Sequence, residues 1–211
     1  MPSLPRTPGV LRTAVRSVRY APEPSRCDGR RHVLQMPGLR LQTPRAADYL
    51  MMLAGASDSR AQRWLGWRPE SVVPERRRER LLTSQPGRGR LLRQPDQQGG
   101  WRLIAINPDD GQLAGSTWCD QNTGEIGGSL APRYRGRGLG PSLFAGLAQF
   151  THQHLGIARV FARTEQDNAP CIGALARAGF TLTSETGTYT LPDGRVVPGL
   201  WFRHEAEPSR C

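Results

Sequence analysis

The sequence predicts a mixed α/β fold, a sheet of about six to seven strands flanked by helices. Three observations predict it. Segments alternating apolar and polar residues lie between turns rich in Pro, Asp, Asn and Gly. Segments with apolar residues at helical spacing interrupt them. From residue 38 the order is strand, three helices, three strands, helix, strand, helix, two strands, with no solenoid period.

Each element has its own signal. Residues 38–43 (GLRLQT) alternate Leu39 and Leu41 with polar neighbours, as a half-buried strand does. Pro44 then opens a helical stretch through Ala46, Leu50 and Leu53 that ends near Gly55. Residues 58–67 and 74–82 predict two more helices, the second carrying the run ERRRER as a solvated face, with the wall of a substrate cleft as the alternative. Residues 101–107 (WRLIAIN) and 112–119 form strands joined by the turn Pro108-Asp109-Asp110-Gly111, and a turn at Asn122-Thr123-Gly124 leads to a strand over 125–131. A glycine-rich segment follows. Then Leu143, Phe144, Leu147 and Phe150 mark a helix over 141–155, with Pro141 suited to its first position. Strand 158–164, helix 169–178 closed by Gly179, and strands 181–190 and 196–204 around the turn Pro192-Asp193-Gly194 complete the order.

Composition divides the chain and excludes several function classes. Of 211 residues 37% are hydrophobic, enough for one sizeable core. The net charge is +11 and all 29 basic residues are arginine; no lysine occurs, which fits a high-GC coding bias and removes self-acetylation on lysine. Residues 1–35 hold seven arginines against Glu23 and Asp28, so +5 of the charge lies there and +6 in the remainder. They are expected to be a largely disordered basic extension, with an organelle transit peptide or a true start at Met36 as alternatives. The folded domain is expected over 36–205, with a tail at 206–211. The string Glu-Pro-Ser-Arg-Cys at 23–27 returns at 207–211, and no physical account of it follows.

Cys27, Cys119, Cys171 and Cys211 lie far apart and support neither a disulfide framework nor a zinc site. His152 and His154 are two apart on a helix and point to different faces, a poor metal pair. No metal site is expected. With no apolar run of membrane-spanning length and no hydrophobic signal core, the expectation is a cytoplasmic protein away from the membrane.

The strongest chemical signal is Arg135-Gly136-Arg137-Gly138-Leu139-Gly140 between a strand and a helix. Glycines let successive N–H groups face one point, the helix N-terminus adds a positive dipole end, and arginines add charge-assisted bonds, a combination suited to a pyrophosphate. An ordinary tight turn is the competing explanation. The segment is neither a Rossmann fingerprint, which follows an early strand of a βαβ unit, nor a P-loop, which needs a lysine.

One helix and one strand later comes Asn168-Ala-Pro-Cys171-Ile-Gly-Ala-Leu175-Ala-Arg177-Ala-Gly179-Phe180. Together the two segments resemble the GNAT superfamily of N-acetyltransferases. Its acetyl-CoA loop, Arg/Gln-x-x-Gly-x-Gly/Ala, is matched in full at 135–140. Its later Asn-x-x-Ser…Gly-Phe motif is matched at Asn168, Gly179 and Phe180, with Cys171 where Ser is common. Leu39-Arg40-Leu41, Asp48, Trp64-Leu65-Gly66-Trp67 and the closing Leu191-Pro-Asp-Gly-Arg-Val-Val are similar to the branch of the ribosomal-protein-alanine (Rim-type) acetyltransferases. The resemblance covers about residues 38–205.

This resemblance implies a sheet splayed in the middle, with strand 125–131 parted from strand 158–164 and pantetheine filling the gap. Backbone groups near Gly128 and Leu130 are then expected to bond pantetheine and polarise the thioester carbonyl. The Arg135 loop, through the amides of Arg137, Gly138, Leu139 and Gly140, is expected to hold the pyrophosphate of acetyl-CoA. Asn168 is expected on the pantetheine arm. The implied reaction is direct attack of a primary amine on the thioester in a ternary complex. Glu125 is the candidate base, with Asp120 and Glu165 in reserve. A solvated strand-start carboxylate explains Glu125 equally well. Relatives often carry Tyr where this chain has Leu175, so the candidate acid is Cys171, in competition with its reading as a small buried apolar residue.

The acceptor is therefore expected to be a protein or peptide N-terminus or a small amine. The basic surface raises a weak association with the ribosome or nucleic acid as a further expectation. A non-catalytic acetyl-CoA-binding module is the alternative, favoured by the two altered donor positions; an arginine-rich nucleic-acid binder ranks last, having no interleaved aromatic pattern. Nothing in the sequence names the acceptor or the oligomeric state.

Overall fold

The computed structural model describes residues 26–27, 31–92 and 95–206. Nine strands lie among them: β1 (Arg26–Cys27), β2 (His32–Met36), β3 (Leu39–Gln42), β4 (Gly100–Ile106), β5 (Leu113–Asp120), β6 (Ile126–Leu130), β7 (Arg159–Glu165), β8 (Thr181–Thr190) and β9 (Val196–Glu205). The α-helices are α1 (Asp48–Gly55), α2 (Ser59–Leu65), α3 (Glu75–Leu82), α4 (Gly140–Leu155) and α5 (Ala169–Arg177). Helix α1 starts later than Pro44: its first N-terminal contact is Asp48 itself, whose carboxylate accepts from the Arg45 amide at 2.7 Å.

The first six strands form one antiparallel sheet in sequence order, and β7, β9 and β8 form a second with β9 central. Between the two sheets runs one isolated parallel bridge, Glu125 to Phe161, where the Phe161 N–H donates to Gly124 O at 3.0 Å. Beyond that bridge β6 and β7 share no ladder among the described residues, so the two sheets part there.

The fold starts earlier than the sequence boundary at residue 36. Residues 32–35 of β2 belong to the stretch expected to be disordered, yet Val33 is 0% and Leu34 2% exposed. It pairs with β3 across a tight turn whose Gly38 has φ 70°, a conformation that favours glycine. His32 is fixed by rings from distant segments, 4.9 Å from Phe150 and 5.5 Å from Trp101 between centroids. Residues 1–25, 28–30 and 207–211, which carry most of the expected extension and the tail, lie outside the described residues.

The core sits between the sheets and α4. Leu143, Leu147, Ala148 and Phe150 of α4 pack with Leu34, Leu41, Ile104, Ile126, Val160 and Phe202 from both sheets. Burying a side chain such as Phe150 (0% exposed) stabilises the fold by about 1.5–3 kcal/mol. Helix α4 thus clamps both sheets while leaving the wedge between β6 and β7 open at its own N-terminus.

Candidate functional site

The wedge lies between two sheet edges, that of β6 and that of β7. Ladder bonds from Ala131 N–H to Ala114 O (2.8 Å) and from Asp120 N–H to Glu125 O (2.9 Å) set the alternation of the β5–β6 pair. Odd residues of β6 therefore face β5, and Ile126, Gly128 and Leu130 turn their backbone groups to the open side. Gly128 and Leu130, named from the sequence, stand on that edge. The glycines there serve close packing: a Cβ on Gly128 would lie 3.0 Å from Ser116 O and 3.3 Å from Leu143, and one on Gly127 would strike the Trp118 indole.

At the end of β6 the chain makes a short 3-10 turn, Pro132–Tyr134, anchored by the buried Tyr134, whose hydroxyl donates to Asp110 Oδ2 at 2.7 Å. Gly136 (φ 74°) and Gly138 (φ 76°) then adopt left-handed backbone, and a Cβ at either position would point into open space. These glycines are there for conformation, not for packing. Among the described residues the amides of Gly136 to Gly140 donate to no protein acceptor; the first helical bond of α4 runs from Leu143 N–H to Leu139 O at 3.0 Å. Five consecutive free amides beside a 16-residue helix N-terminus are suited to an anion, and the glycine conformation presents them.

The arginines of this loop divide their roles. Arg137 is exposed, its guanidinium 5.5 Å from the Tyr134 ring centroid. Arg135, expected from the sequence to serve the cofactor, turns its guanidinium away. Its Nη1 and Nη2 donate to the two oxygens of Asp58 at 2.8 and 2.7 Å, and its Nε donates to Leu130 O at 2.8 Å. A cation already paired this way holds the loop's shape. Leu139 packs partly against the core, and a Cβ on Gly38 would lie 2.7 Å from it.

Asn168 also has structural work. It caps α5, its Oδ1 accepting from the Cys171 amide at 3.4 Å, and its Nδ2 donates to Thr164 Oγ1 at 3.0 Å. Each end of its amide makes one bond within the fold. Cys171 lies in the first turn of α5. Burial pushes its thiol up, and a hydrogen bond with Thr164 works against that. Leu175 is 0% exposed and belongs to the core.

The other face of the second sheet carries the titratable groups. Ala162 and Phe202 of one registered pair are buried against the core. The alternation therefore sends Phe161, Arg163, Glu165 and Trp201 to the opposite face. Glu125 joins them: its Oε1 lies 2.9 Å from Arg163 Nε. Burial raises the Glu125 carboxyl above its ordinary range; Arg163 pulls it back and Asp120 raises it further. Glu125 and Arg163, with Thr123, Phe161, Ala162, Glu185 and Trp201, line a cavity of about 260 Å³; Glu165 stands outside it. The Asp120 Oδ1 accepts from the Asn122 and Thr123 amides at 2.8 and 3.4 Å, so this carboxylate holds its own turn. A second cavity of about 360 Å³ lies between the end of α2 and the β8–β9 turn, lined by Gln62, Gly66, Trp67, Pro69, Val72 and Asp193.

Sequence reasoning missed Tyr189. It stands on β8 with its ring 5.0 Å from the Arg163 guanidinium and edge-on to Trp201. Burial raises its hydroxyl, Glu165, Cys171 and Glu125 raise it further, and Arg163 works against them. No local motif marks such a residue, because its neighbours come from three other elements. His152 and His154 do part: His152 bonds His204 at 2.9 Å, and His154 packs against Phe150. Among the described residues no group of three His, Cys, Asp or Glu is placed to hold a metal, and no helix is long and apolar enough to cross a membrane.

Comparison with known proteins agrees with this geometry. The family model for the acetyltransferase (GNAT) domain matches residues 38–181. No curated protein matches the chain. Among solved structures, a spermidine N-acetyltransferase from Vibrio cholerae in complex with CoA and spermine has a TM-score of 0.60 at 12% identity, covering 80% of this chain and 96% of that one. The ribosomal-protein-S5-alanine acetyltransferase from Vibrio fischeri has a TM-score of 0.58 at 13% identity, covering 82% and 96%. An aminoglycoside acetyltransferase in complex with coenzyme A has a TM-score of 0.56 at 21% identity, covering 79% and 94%. At these identities the likeness is one of fold.

Proposed function

Because the chain belongs to the GNAT acetyltransferase family, we propose that it is an acetyl-CoA-dependent N-acetyltransferase acting on a primary amine. The observation that supports this reading best is the row of five free amides at Gly136 to Gly140, next to the free edge of β6. The residues fit the group: backbone donors for a pyrophosphate, glycines at φ 74° and 76° that no side chain crowds, and a strand edge for the amide-bearing pantetheine arm.

When bound, acetyl-CoA supplies an acetyl thioester: the amine nitrogen bonds the carbonyl carbon, the C–S bond breaks, and the nitrogen gives up one proton. In this reading the amides of Arg137, Gly138, Leu139 and Gly140 hold the pyrophosphate, and Arg135 acts on it only by fixing the loop through Asp58. The Gly128 backbone groups and the Leu130 N–H hold the pantetheine and orient the thioester, the Leu130 carbonyl being engaged by Arg135 Nε. Glu125, raised by burial, takes the proton from the amine, directly or through one water. Cys171, whose thiol burial keeps protonated at neutral pH, supplies a proton to the departing sulfur. Positioning supplies most of the acceleration.

The acceptor class stays open between protein or peptide N-termini and small amines; the fold neighbours are named for spermidine, a ribosomal-protein alanine and aminoglycosides. Cytoplasmic residence belongs to the same reading. A second reading, a non-catalytic acetyl-CoA-binding module, is favoured by Leu175 at 0% exposure, since no hydroxyl stands at that position. Thiol release from acetyl-CoA over an amine library separates the two. Turnover with any primary amine supports the enzyme; calorimetric binding of coenzyme A without turnover supports the module.

A further inference from the structure

Glu165 stands out on the face opposite α4. It is 5% exposed, and its Oε1 has no hydrogen-bond partner among the described residues. Its Oε2 has one, Arg63 Nη1 at 3.4 Å, and the Arg63 side chain is 52% exposed and also lies over the Trp64 ring at 4.6 Å. A buried carboxylate oxygen without a donor is costly, so a donor brought from outside the chain stabilises it. The missing partner is a donor, and a cationic one is held most strongly.

The surroundings favour an ammonium. Glu165 opposes Gly199 in the β7–β9 register, and a Cβ on Gly199 would lie 2.8 Å from Trp201 and 2.9 Å from Tyr189. The glycine thus lets two aromatic rings pack against the backbone opposite the carboxylate. Ring faces attract cations, and the two rings pack edge to face at 6.3 Å. Among the described residues Arg63, half in solvent, is the cation on Glu165, and its long contact makes it a displaceable one.

Position separates Glu165 from the reacting nitrogen. Glu125 is bridged to Phe161, and its carboxylate reaches Arg163, two residues short of Glu165 on the same face. Two to four residues of strand place the two carboxylates roughly 7–13 Å apart. One amine does not span that gap, whereas a chain with two amines does.

We propose that Glu165 anchors a second, non-reacting ammonium of the acceptor, so that the preferred acceptor is a diamine or polyamine. This rests on the acyl-transfer reading above, with the first amine at Glu125. Arg63 covers the carboxylate until the acceptor's own ammonium replaces it.

The test compares hexylamine with hexamethylenediamine. In the wild-type chain the diamine is expected to show a KM about tenfold or more below that of the monoamine, as a charge-assisted bond provides. E165Q should raise the diamine KM by about the same factor and leave the hexylamine KM and the coenzyme A thermal shift unchanged. R63Q, which removes the competing guanidinium, should lower the diamine KM severalfold. Equal KM values for the two amines in the wild type, or an equal effect of E165Q on both, overturns the proposal. Calorimetry of the coenzyme A complex with the diamine keeps the two readings apart. Diamine heat that E165Q abolishes supports the anchor even without turnover; coenzyme A heat with no diamine heat overturns the anchor. Absence of turnover with both heats present strikes the acyl-transfer reading alone.

Discussion

Arg135 and Asp58 grip each other through two parallel hydrogen bonds, Nη1 to Oδ1 at 2.8 Å and Nη2 to Oδ2 at 2.7 Å. The pair joins the glycine-rich loop to the start of α2, where the same Asp58 Oδ1 caps the helix by accepting from the Ala61 amide at 3.2 Å. Both side chains are largely buried, at 20% and 16% exposure.

D58N keeps a capping oxygen and removes the charge. It is expected to lower stability at pH 7 by about 1.5–3 kcal/mol, the scale of a charged hydrogen bond, and to weaken coenzyme A binding through the loosened loop. Burial works to raise the Asp58 carboxyl, but the Arg135 guanidinium outweighs it and holds the carboxyl below its ordinary value of 3.8. The folded pKa is thus depressed, and the pair's contribution is full above the ordinary value and lost as pH falls through the folded one. Thermal denaturation should therefore show a gap between wild type and D58N at pH 7 that closes in that acidic range.

Gly138→Ala tests the amide cradle. With φ 76° and open space around the added Cβ, the substitution costs the fold only about 1–2 kcal/mol through left-handed strain. Gly156→Ala is the control, since Gly156 has φ 70° and equally open space at the far end of α4. Both variants should lose similar Tm, but only Gly138→Ala should raise the coenzyme A Kd, by about tenfold. Matching Kd values for the two variants would remove the cradle from cofactor binding.

Glu125→Gln should cut kcat by about a hundredfold or more while leaving the coenzyme A Kd in place. A Kd that moves with kcat would show that the residue shapes the wedge and does not take the proton.

Arg163 sets the pH at which Glu125 works. Burial raises the carboxyl and Arg163, 2.9 Å away, pulls it down. In Arg163→Gln that pull is gone and the folded pKa rises further. The acidic limb of kcat/KM, where protonation of the base removes activity, should shift to higher pH. A limb that stays in place assigns the titration to another group.

Cys171→Ala should lower kcat by about a hundredfold at most, because coenzyme A leaves readily as a thiolate, and Cys171→Ser should restore part of it. A kcat equal to wild type would leave Cys171 a packing residue of the α5 N-terminus.

Local chemistry made much of this molecule readable along the chain. Alternation at Leu39 and Leu41, helical spacing at Leu143, Phe144, Leu147 and Phe150, and the turn residues between placed most elements, because each signal spans only a few neighbouring residues. The glycines of residues 136–140 announced the anion loop for the same reason: left-handed φ is a property of single residues. Tertiary structure alone decided the rest. Strand β2 looked like part of a basic tail because its stability comes from rings such as Phe150 and Trp101, far along the chain. Arg135 read as a cofactor cation until Asp58, 77 residues away, claimed it. Tyr189, Trp201 and Glu165 share one face only because β9 lies between β7 and β8. Backbone conformation and periodicity are written in short windows, whereas a charge's partner depends on which distant segments the fold brings together.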